Sequence, residues 1–167
     1  TPKITTQMPA GVILCDESVF DLPFTVTGGF DTGIGSEAQL SDKEGNFTTS
    51  RTVGSGSQSP LKVTIPTNVE IGGNYHLRIK PTQNANANLT PSDVFSLKQR
   101  AKATLSGDTT IAFGGEAKLK LSVQGTFPVT YVLSDNNTAT MSSNAQTISV
   151  KPALETTYTL KSVTNVC

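Results

Sequence analysis

The chain has 167 residues, with 13 basic and 13 acidic side chains and no formal net charge at pH 7. Neutrality excludes a general attraction to nucleic acid or to an anionic membrane. One His, two Cys and no Trp exclude a disulfide-dense miniprotein and a Cys/His zinc module. No apolar run approaches the roughly 20 residues of a membrane-spanning helix.

Apolar residues recur at every second position along much of the chain, beginning with Phe20, Leu22, Phe24 and Val26. The same alternation returns at residues 61–65, 75–79, 95–97, 119–123, 131–133, 148–150 and 158–160. Successive side chains of a strand point to opposite faces, so each run predicts a half-buried antiparallel strand.

Clusters of Gly, Asn, Asp and Pro separate these runs. They lie at residues 28–29, 42–46, 54–60, 72–74, 114–115 and 135–137. Such clusters predict turns, and no stretch of a dozen residues has helical periodicity. Short strands with turns at this spacing predict an all-β sandwich or barrel.

Landmarks of the first half recur in the same order in the second. VTGGF at 26–30 returns as VQGTF at 123–127, LSD at 40–42 as LSD at 133–135, and YHL at 75–77 as YTL at 158–160. An ordered set of matches indicates an internal repeat. We therefore predict two tandem immunoglobulin-like β-sandwich domains, residues 1–100 and 101–167, with the boundary near Arg100.

The second half offers about six strands, one fewer than a seven-stranded immunoglobulin-like sandwich. Either the sequence is a fragment of a longer chain, or another segment supplies the strand, or the count has missed one. Strand donation between subunits would use the groove beside residues 156–166 as acceptor. The donor would be the N-terminal segment of another copy, which contains Thr1, Lys3, Ile4 and Thr5.

Tyr75 and Tyr158 precede the late strand of each half. In immunoglobulin-like sandwiches a Tyr at this place bonds back to the backbone across a corner. The alternative is a core-facing aromatic residue. Both interpretations predict that the two rings are buried.

We expect no enzyme. His76 is the single His, so a Ser-His-Asp or Cys-His site would have to include it. It lies on the polar phase of a predicted strand, and His76, Arg78 and Lys80 together predict a solvated strand face. The carboxylates fall mainly in turns. The loops at 42–46 and 135–137 offer oxygen ligands suited to Ca²⁺ but are better explained as hairpin turns.

Exposed aromatic rings would indicate carbohydrate binding, and Phe113 and Phe127 lie at predicted loop edges. They could equally close the ends of the sandwiches. A carbohydrate-binding or accessory module of a secreted enzyme is therefore the alternative function. We expect no cofactor and no metal.

Cys15 and Cys167 fall in different halves, and tandem sandwiches usually extend lengthwise. A disulfide needs Cα atoms within about 7 Å, which disfavours an intrachain bridge. We expect free, partly buried thiols, with intermolecular pairing as the alternative.

Several stretches resemble known repeat modules: PFTVTGGF (23–30), AQLSDKEGNF (38–47), TVGSGSQSPLKVTIP (52–66), NYHLRI (74–79), residues 107–135 and PALETTYTLKSVTNVC (152–167). They are similar to the immunoglobulin-like tandem modules of large secreted Bacteroidetes surface adhesins. The resemblance implies type IX secretion, display at the cell surface, and a structural role in adhesion or gliding motility. Partners would be neighbouring repeats or copies of the same chain.

Two further expectations follow from this resemblance. The related module often carries an early Cys that pairs with the Cys of the TNVC-like stretch. Here Ala112 stands at that position, which leaves Cys167 without an evident partner in its own domain. Asp108-Thr109-Thr110 resembles the short O-glycosylation signal of Bacteroidetes, with Thr109 as the acceptor. The Thr- and Ser-rich composition, starting at Thr1 without a Met or signal region, also favours a mature exported product or an excised fragment.

Overall fold

The computed structural model describes residues 1–9, 11–29, 35–83 and 86–167. These residues form sixteen β-strands and no helix, which confirms the prediction of an all-β, sandwich-like fold. The described ranges accordingly contain no helix long and apolar enough to cross a membrane. Phe30 of the first VTGGF repeat lies outside the described residues, as does Asp31, one of the carboxylates that the sequence places mainly in turns.

The chain divides into two compact units, Thr1–Lys98 and Gln99–Cys167. The sequence repeat places the boundary near Arg100, within two residues of this division. Each unit has its own sheets and its own buried apolar residues.

The first unit contains ten short strands. They are β1 (Lys3–Thr6), β2 (Val19–Leu22), β3 (Phe24–Thr27), β4 (Ser36–Leu40), β5 (Arg51–Gly56), β6 (Leu61–Thr64), β7 (Gly72–Tyr75), β8 (Leu77–Pro81), β9 (Asn88–Thr90) and β10 (Phe95–Leu97). Strand β1 lies between β3 and β9, and β4 lies between β5 and β8. The pairs β2–β6 and β7–β10 complete the pairing. All these pairs are antiparallel except β1–β9, which is parallel.

Alternation places one face of these strands in the core of the first unit. Leu22, Leu40, Val63, Leu77 and Ile79 are fully buried. Each belongs to a strand in which the neighbouring side chain is polar or more exposed, as period-2 packing requires. Burial of these side chains, at about 1.5–3 kcal/mol each, is the main term that stabilises the unit.

The second unit contains six strands, the number predicted. They are β11 (Lys102–Ser106), β12 (Ala117–Gln124), β13 (Val129–Leu133), β14 (Thr138–Met141), β15 (Ala145–Val150) and β16 (Leu160–Thr164). One sheet has the order β11-β12-β15 and the other β14-β13-β16, and all four pairs are antiparallel. Strand β12 alternates strictly between buried and exposed residues. Its Leu121 and Val123 pack with Val129, Tyr131 and Leu133 of β13.

Four details differ from the sequence prediction. The strand predicted to begin at residue 158 begins at Leu160. Val26 is exposed although its phase predicts burial. It lies on β3, the outer strand of the sheet with the order β3-β1-β9. Residues 54–56 belong to β5 rather than to a turn. Residues 72–74 likewise belong to β7.

Close packing against neighbouring residues explains why glycine occurs in these two strands. A Cβ at Gly54 would clash with the backbone carbonyl of Lys62. Gly73 has a φ of +77°, and a Cβ there would lie 2.6 Å from the side chain of Lys43. Glycine therefore permits close backbone approach here, a role that local sequence does not distinguish from a turn.

Candidate interaction surface

A groove of about 1100 Å³ lies in the second unit, between β11 and the segment that leads into β16. Its floor includes Ala117, Leu119 and Val150, each less than 10% exposed. Its rim carries Phe113 and Leu154, which are 91% and 81% exposed. Large apolar side chains left in solvent beside a groove make this region a candidate interaction surface.

The charges along this groove have one sign. Asp108 and Glu155 line it, and no Lys, Arg or His does. Tyr158 also lines the groove. The groove therefore favours a neutral or basic partner over an acidic one.

Strand β16 provides the adjoining sheet edge. It pairs with β13 along one side. Within residues 99–167, all of which the structure describes, no strand pairs with its other side. Alternate N–H and C=O groups of an edge strand point away from its sheet, and they can pair with another extended segment.

The N-terminal segment is part of its own sheet. Lys3, Ile4 and Thr5 pair with β3 on one side and β9 on the other. Ile4 is fully buried, and the Ile79 N–H donates to the hydroxyl of Thr6 at 2.9 Å. Donation of this segment, including Thr1, to another copy would dismantle the first unit's own sheet.

Both cysteines are disulfide-bonded, and since the chain has only two, Cys15 and Cys167 bond to each other. The expectation of free thiols is wrong. Cys15 forms a β-bridge with Lys98, the last residue of the first unit. The backbone oxygen of Cys167 accepts a hydrogen bond from Arg100. Each cysteine thus lies beside the short stretch of chain that connects the two units. The sequence prediction considered only that the cysteines fall in different halves and did not take this connection into account.

Thr109 is exposed and lines the groove. Its side chain is therefore accessible to a glycosyltransferase, and O-glycosylation at Thr109 stays a prediction. A glycan at this position would occupy part of the groove.

The His76 ring is held by the backbone. Its Nδ1 lies 2.8 Å from the Ser92 carbonyl oxygen, which fixes Nδ1 as the donor. The hydroxyl of Ser41 accepts from the backbone N–H of His76 and donates to the Asp42 carbonyl. The nearby serine is therefore engaged with backbone rather than with the imidazole, and the arrangement explains His76 as a structural residue.

The predicted solvated strand face of His76, Arg78 and Lys80 is not fully solvated at Arg78, whose side chain contacts neighbouring side chains. Its guanidinium carbon lies 4.1 Å above the ring centre of Phe47, and its Nε donates to the Gln39 side chain at 2.9 Å. Burial lowers the pKa of Arg78. His76 and Arg78 are half-buried, and Lys80 is exposed.

The two acidic loops are hairpin turns closed by their own aspartates. Asp42 accepts from the backbone N–H groups of Glu44 and Asn46 at 3.1 and 2.7 Å. Asp135 accepts from the backbone and the side chain of Asn137 at 3.0 and 2.7 Å. The described residues contain no group of three or more His, Cys, Asp or Glu that could hold a metal ion.

Replacing Asp42 with Asn is expected to destabilise the first unit at pH 7 but to have progressively less effect in acid. The hydrogen bond from the Asn46 N–H is the largest cause that lowers the pKa of Asp42 below its ordinary 3.8. Because the folded pKa is below the unfolded one, this stability is present above the unfolded pKa and is lost as pH falls through the folded pKa. Chemical denaturation of both proteins at a series of pH values measures the difference. Asp108→Asn, at an exposed position, is the control, and a pH-independent difference would contradict the assignment.

Tyr75 forms the predicted corner. Its hydroxyl donates to the carbonyl oxygen of Glu70, five residues earlier, at 2.9 Å, and its buried ring stacks on Phe95. Burial raises the pKa of Tyr75, with the negative charge of Glu70 as a second cause. Tyr158 makes no such bond with any described residue, although its ring packs beside Leu119 and Val150. The corner interpretation is confirmed for Tyr75 alone.

Tyr75→Phe is expected to lower the free energy of unfolding by about 1 kcal/mol, because it leaves the Glu70 carbonyl without that donor. Tyr158→Phe is the matched control and should change stability by a few tenths of a kcal/mol at most, since no corner bond is lost. Denaturant unfolding followed by circular dichroism measures both. Equal losses in the two variants would show that the corner bond contributes nothing.

The two loop phenylalanines differ. Phe113 is the exposed rim residue described above, whereas Phe127 is partly buried and packs against the core of the second unit. Of the two alternatives, exposure therefore applies to Phe113, and packing against the sandwich applies to Phe127.

Asn165 is a residue that the sequence analysis did not identify. Its side-chain amide donates to the carbonyls of Gln99 and Thr126 at 2.7 and 2.9 Å, and its oxygen accepts from the Cys167 N–H at 3.0 Å. One side chain thus ties the start of the second unit to its end. An Asn near the end of a strand carries no local signal for such contacts.

No protein-family model matches the chain, and no curated protein matches it.

Proposed function

We propose that the chain is a structural and adhesive repeat segment of a secreted cell-surface or extracellular fibre protein, without enzymatic activity. The observation that carries the proposal is the use of one pairing scheme twice in succession. In the second unit, β12 pairs with β11 and β15, and β13 pairs with β14 and β16. In the first unit, β3 pairs with β1 and β2 pairs with β6, so β2 and β3 together correspond to β12. Strand β4 pairs with β5 and β8 and corresponds to β13.

Repetition of one small unit along a chain is the design of spacers and arrays, in which each unit supplies length and surface. We assign each unit to the immunoglobulin-like type of sandwich, and the hydrogen bond from the Tyr75 hydroxyl to the Glu70 carbonyl supports this assignment, because a corner tyrosine is typical of that fold. The sequence resemblance to Bacteroidetes adhesin modules points the same way. In this proposal the units act passively, through ladder hydrogen bonds and packed cores.

The disulfide supports an exported location. Disulfides form and persist in oxidising compartments and are rare in the reducing cytosol. Immunolabelling of intact native cells with antibodies to the first unit tests the proposal. We expect label on unpermeabilised cells or on extracellular fibres, and label that requires permeabilisation would contradict it.

A carbohydrate-binding module is the second candidate, and the 91% exposure of Phe113 beside a groove favours it. Aromatic rings exposed at a groove can stack on sugar rings. Glycan-array binding that is lost in Phe113→Ala and retained in the matched surface variant Val94→Ala would establish this function. Absence of binding by the unmodified chain would remove it.

A further inference from the structure

The sheet formed by β11, β12 and β15 has one buried face and one face in solvent. Strand β12 alternates strictly, so Leu119, Leu121 and Val123 point into the core and the residues between them point outward. Each outward residue of β12 pairs with an exposed residue of β11 or β15. The three strands therefore share one solvent face.

The charged side chains on this face are all basic. The basic face is defined as residues 102, 104 and 106 of β11, residues 118, 120, 122 and 124 of β12, and residues 145, 147 and 149 of β15. These ten positions carry three Lys, five Ser or Thr, one Gln and one Ala, and all ten are exposed. The lysines are Lys102, Lys118 and Lys120.

Strand register sets the spacing of the three lysines. Lys118 and Lys120 are two residues apart on one strand, so their positions are about 7 Å apart. Lys102 pairs with Gln124, four residues along β12 from Lys120, which places it about 14 Å from Lys120. The three cations therefore start from a strip of sheet about 20 Å long.

Neighbouring carboxylates do not neutralise this strip. The ion pairs among the described residues use Lys43, Lys62 and Lys151, so none of them involves a lysine of the basic face. Glu116, just before β12, is paired with Lys151 at 3.8 Å. This pair lies at the end of the face and adds no net charge to it.

The local charge differs from the neutrality of the whole chain. Residues 99–167 carry six Lys or Arg and four Asp or Glu, a net charge of +2. Residues 1–98 carry seven and nine, a net charge of −2. A neutral chain thus presents a surface that attracts anions, although the chain as a whole does not.

We propose that the basic face binds an acidic polysaccharide, which carries sulfate or carboxylate groups along its length. The three ammonium groups contact anionic groups of the polymer. Hydroxyls between them, such as those of Ser122 and Thr147, both donate to and accept from sugar hydroxyls. The inference rests on the proposed function and deepens it, because it assigns a ligand class to the adhesive contact.

Other polyanions fit this face less well. None of its ten positions, all of them described, is aromatic, so a nucleobase has no ring on which to stack. A sheet face also lacks the projecting helix or ribbon that enters the major groove of duplex DNA. Insertion into a membrane interface uses large apolar side chains, and the one apolar residue of the basic face is Ala145.

A matched pair of polymers tests the proposal with the full oxidised chain. Partially sulfated dextran, which keeps free hydroxyls, should bind saturably at low salt, and unmodified dextran should not bind. Three ionic contacts predict that log K falls with log salt concentration with a slope of about −2 to −3. At equal concentrations of negative charge, polyglutamate and duplex DNA should bind at least tenfold more weakly than the sulfated dextran.

Substitution of the lysines assigns binding to this face. The triple variant Lys102→Gln, Lys118→Gln, Lys120→Gln should bind sulfated dextran at least tenfold more weakly than the unmodified chain. Each single variant should make the salt slope shallower by about one. Because all three side chains are exposed, the variants should keep the circular dichroism spectrum and melting temperature of the unmodified chain.

A second triple variant is the matched control. Lys3→Gln, Lys62→Gln, Lys80→Gln removes the same charge from exposed strand positions of the first unit and should change affinity less than twofold. Phe113→Ala should also bind normally, since Phe113 lies at the groove and not on the basic face. Binding by stacking on that ring would give the opposite result.

Three results would overturn the proposal: no saturable binding of sulfated dextran at low salt, equal losses in the two triple variants, or equally tight binding of polyglutamate or DNA. The last result would assign the basic face to an acidic polypeptide or to nucleic acid. None of these results depends on where the protein is located. Surface label on native cells without polysaccharide binding would therefore remove the ligand and leave the structural role in place.

Discussion

Reduction of the disulfide is expected to lower the total free energy of unfolding by about 3–5 kcal/mol. Cys15 and Cys167 close a loop of 153 residues, counting both ends (167 − 15 + 1). A cross-link removes conformational entropy from the unfolded chain, and for a loop of this length the chain-entropy model gives about 5 kcal/mol. Measured effects are commonly about 2–4 kcal/mol, so the lower part of the range is the conservative expectation.

The double variant Cys15→Ser, Cys167→Ser separates the bond from the reductant. In guanidinium unfolding, the oxidised chain should have a high free energy of unfolding. The reduced chain and this variant should have lower free energies of unfolding that are similar to each other. Reductant should leave the variant unchanged. On a non-reducing gel the oxidised chain should run as a monomer, and intermolecular dimers or an intact mass without the loss of two hydrogens would contradict the intrachain bond.

Asn165→Ala is expected to lower the free energy of unfolding of the second unit by about 2–3 kcal/mol. The substitution removes two donors and one acceptor at once. Each net hydrogen bond contributes about 0.5–1.5 kcal/mol, and partners left without a bond add a desolvation cost. The Gln99 carbonyl keeps a bond from the Thr126 N–H, which limits the loss.

Asn165→Asp separates the contribution of the acceptor from that of the two donors, because it keeps the acceptor for the Cys167 N–H but loses both donors. We expect this variant to be destabilised at least as much as the Ala variant, since a carboxylate would face two carbonyl oxygens. Asn144→Ala, an exposed Asn of the same unit, is the matched control. A loss of less than about 0.5 kcal/mol in Asn165→Ala would show that the clamp is not needed for the stability of the unit.

Alternation of apolar residues was sufficient to predict the all-β fold. Strands such as β6 and β12 bury one face and expose the other, so their period-2 pattern is directly visible in the sequence. The pattern fails where burial does not follow phase, as at Val26, or where glycine serves close packing, as at Gly54. Val26 lies on an outer strand, and Gly54 is approached closely by Lys62 of β6. The local sequence contains neither fact.

The features of the candidate surface were predictable to different degrees. The positions of Tyr75 and Tyr158 before late strands left a corner bond and a core-facing ring as alternatives, and the structure shows the corner bond at Tyr75. The disulfide joins Cys15 to Cys167, and the Asn165 side chain joins residues 66 and 39 positions away. These pairings depend on how the chain returns to its own connection. Thr109, Phe113 and residues 156–166 were named from the sequence, but the floor of the groove and the exposed Leu154 at its rim required the fold.

Single-molecule stretching from the two termini tests the central claim, that the chain consists of two separately folded structural units enclosed by one disulfide, most directly. With the disulfide intact, force passes through the Cys15–Cys167 bond, so only the 14 residues before Cys15 should extend, by about 50 Å. After reduction we expect two separate force peaks that release roughly 340 and 240 Å, from the 98 and 69 residues of the two units. Gradual extension of the reduced chain without force peaks would contradict the account, because units that yield without resistance cannot serve as structural repeats.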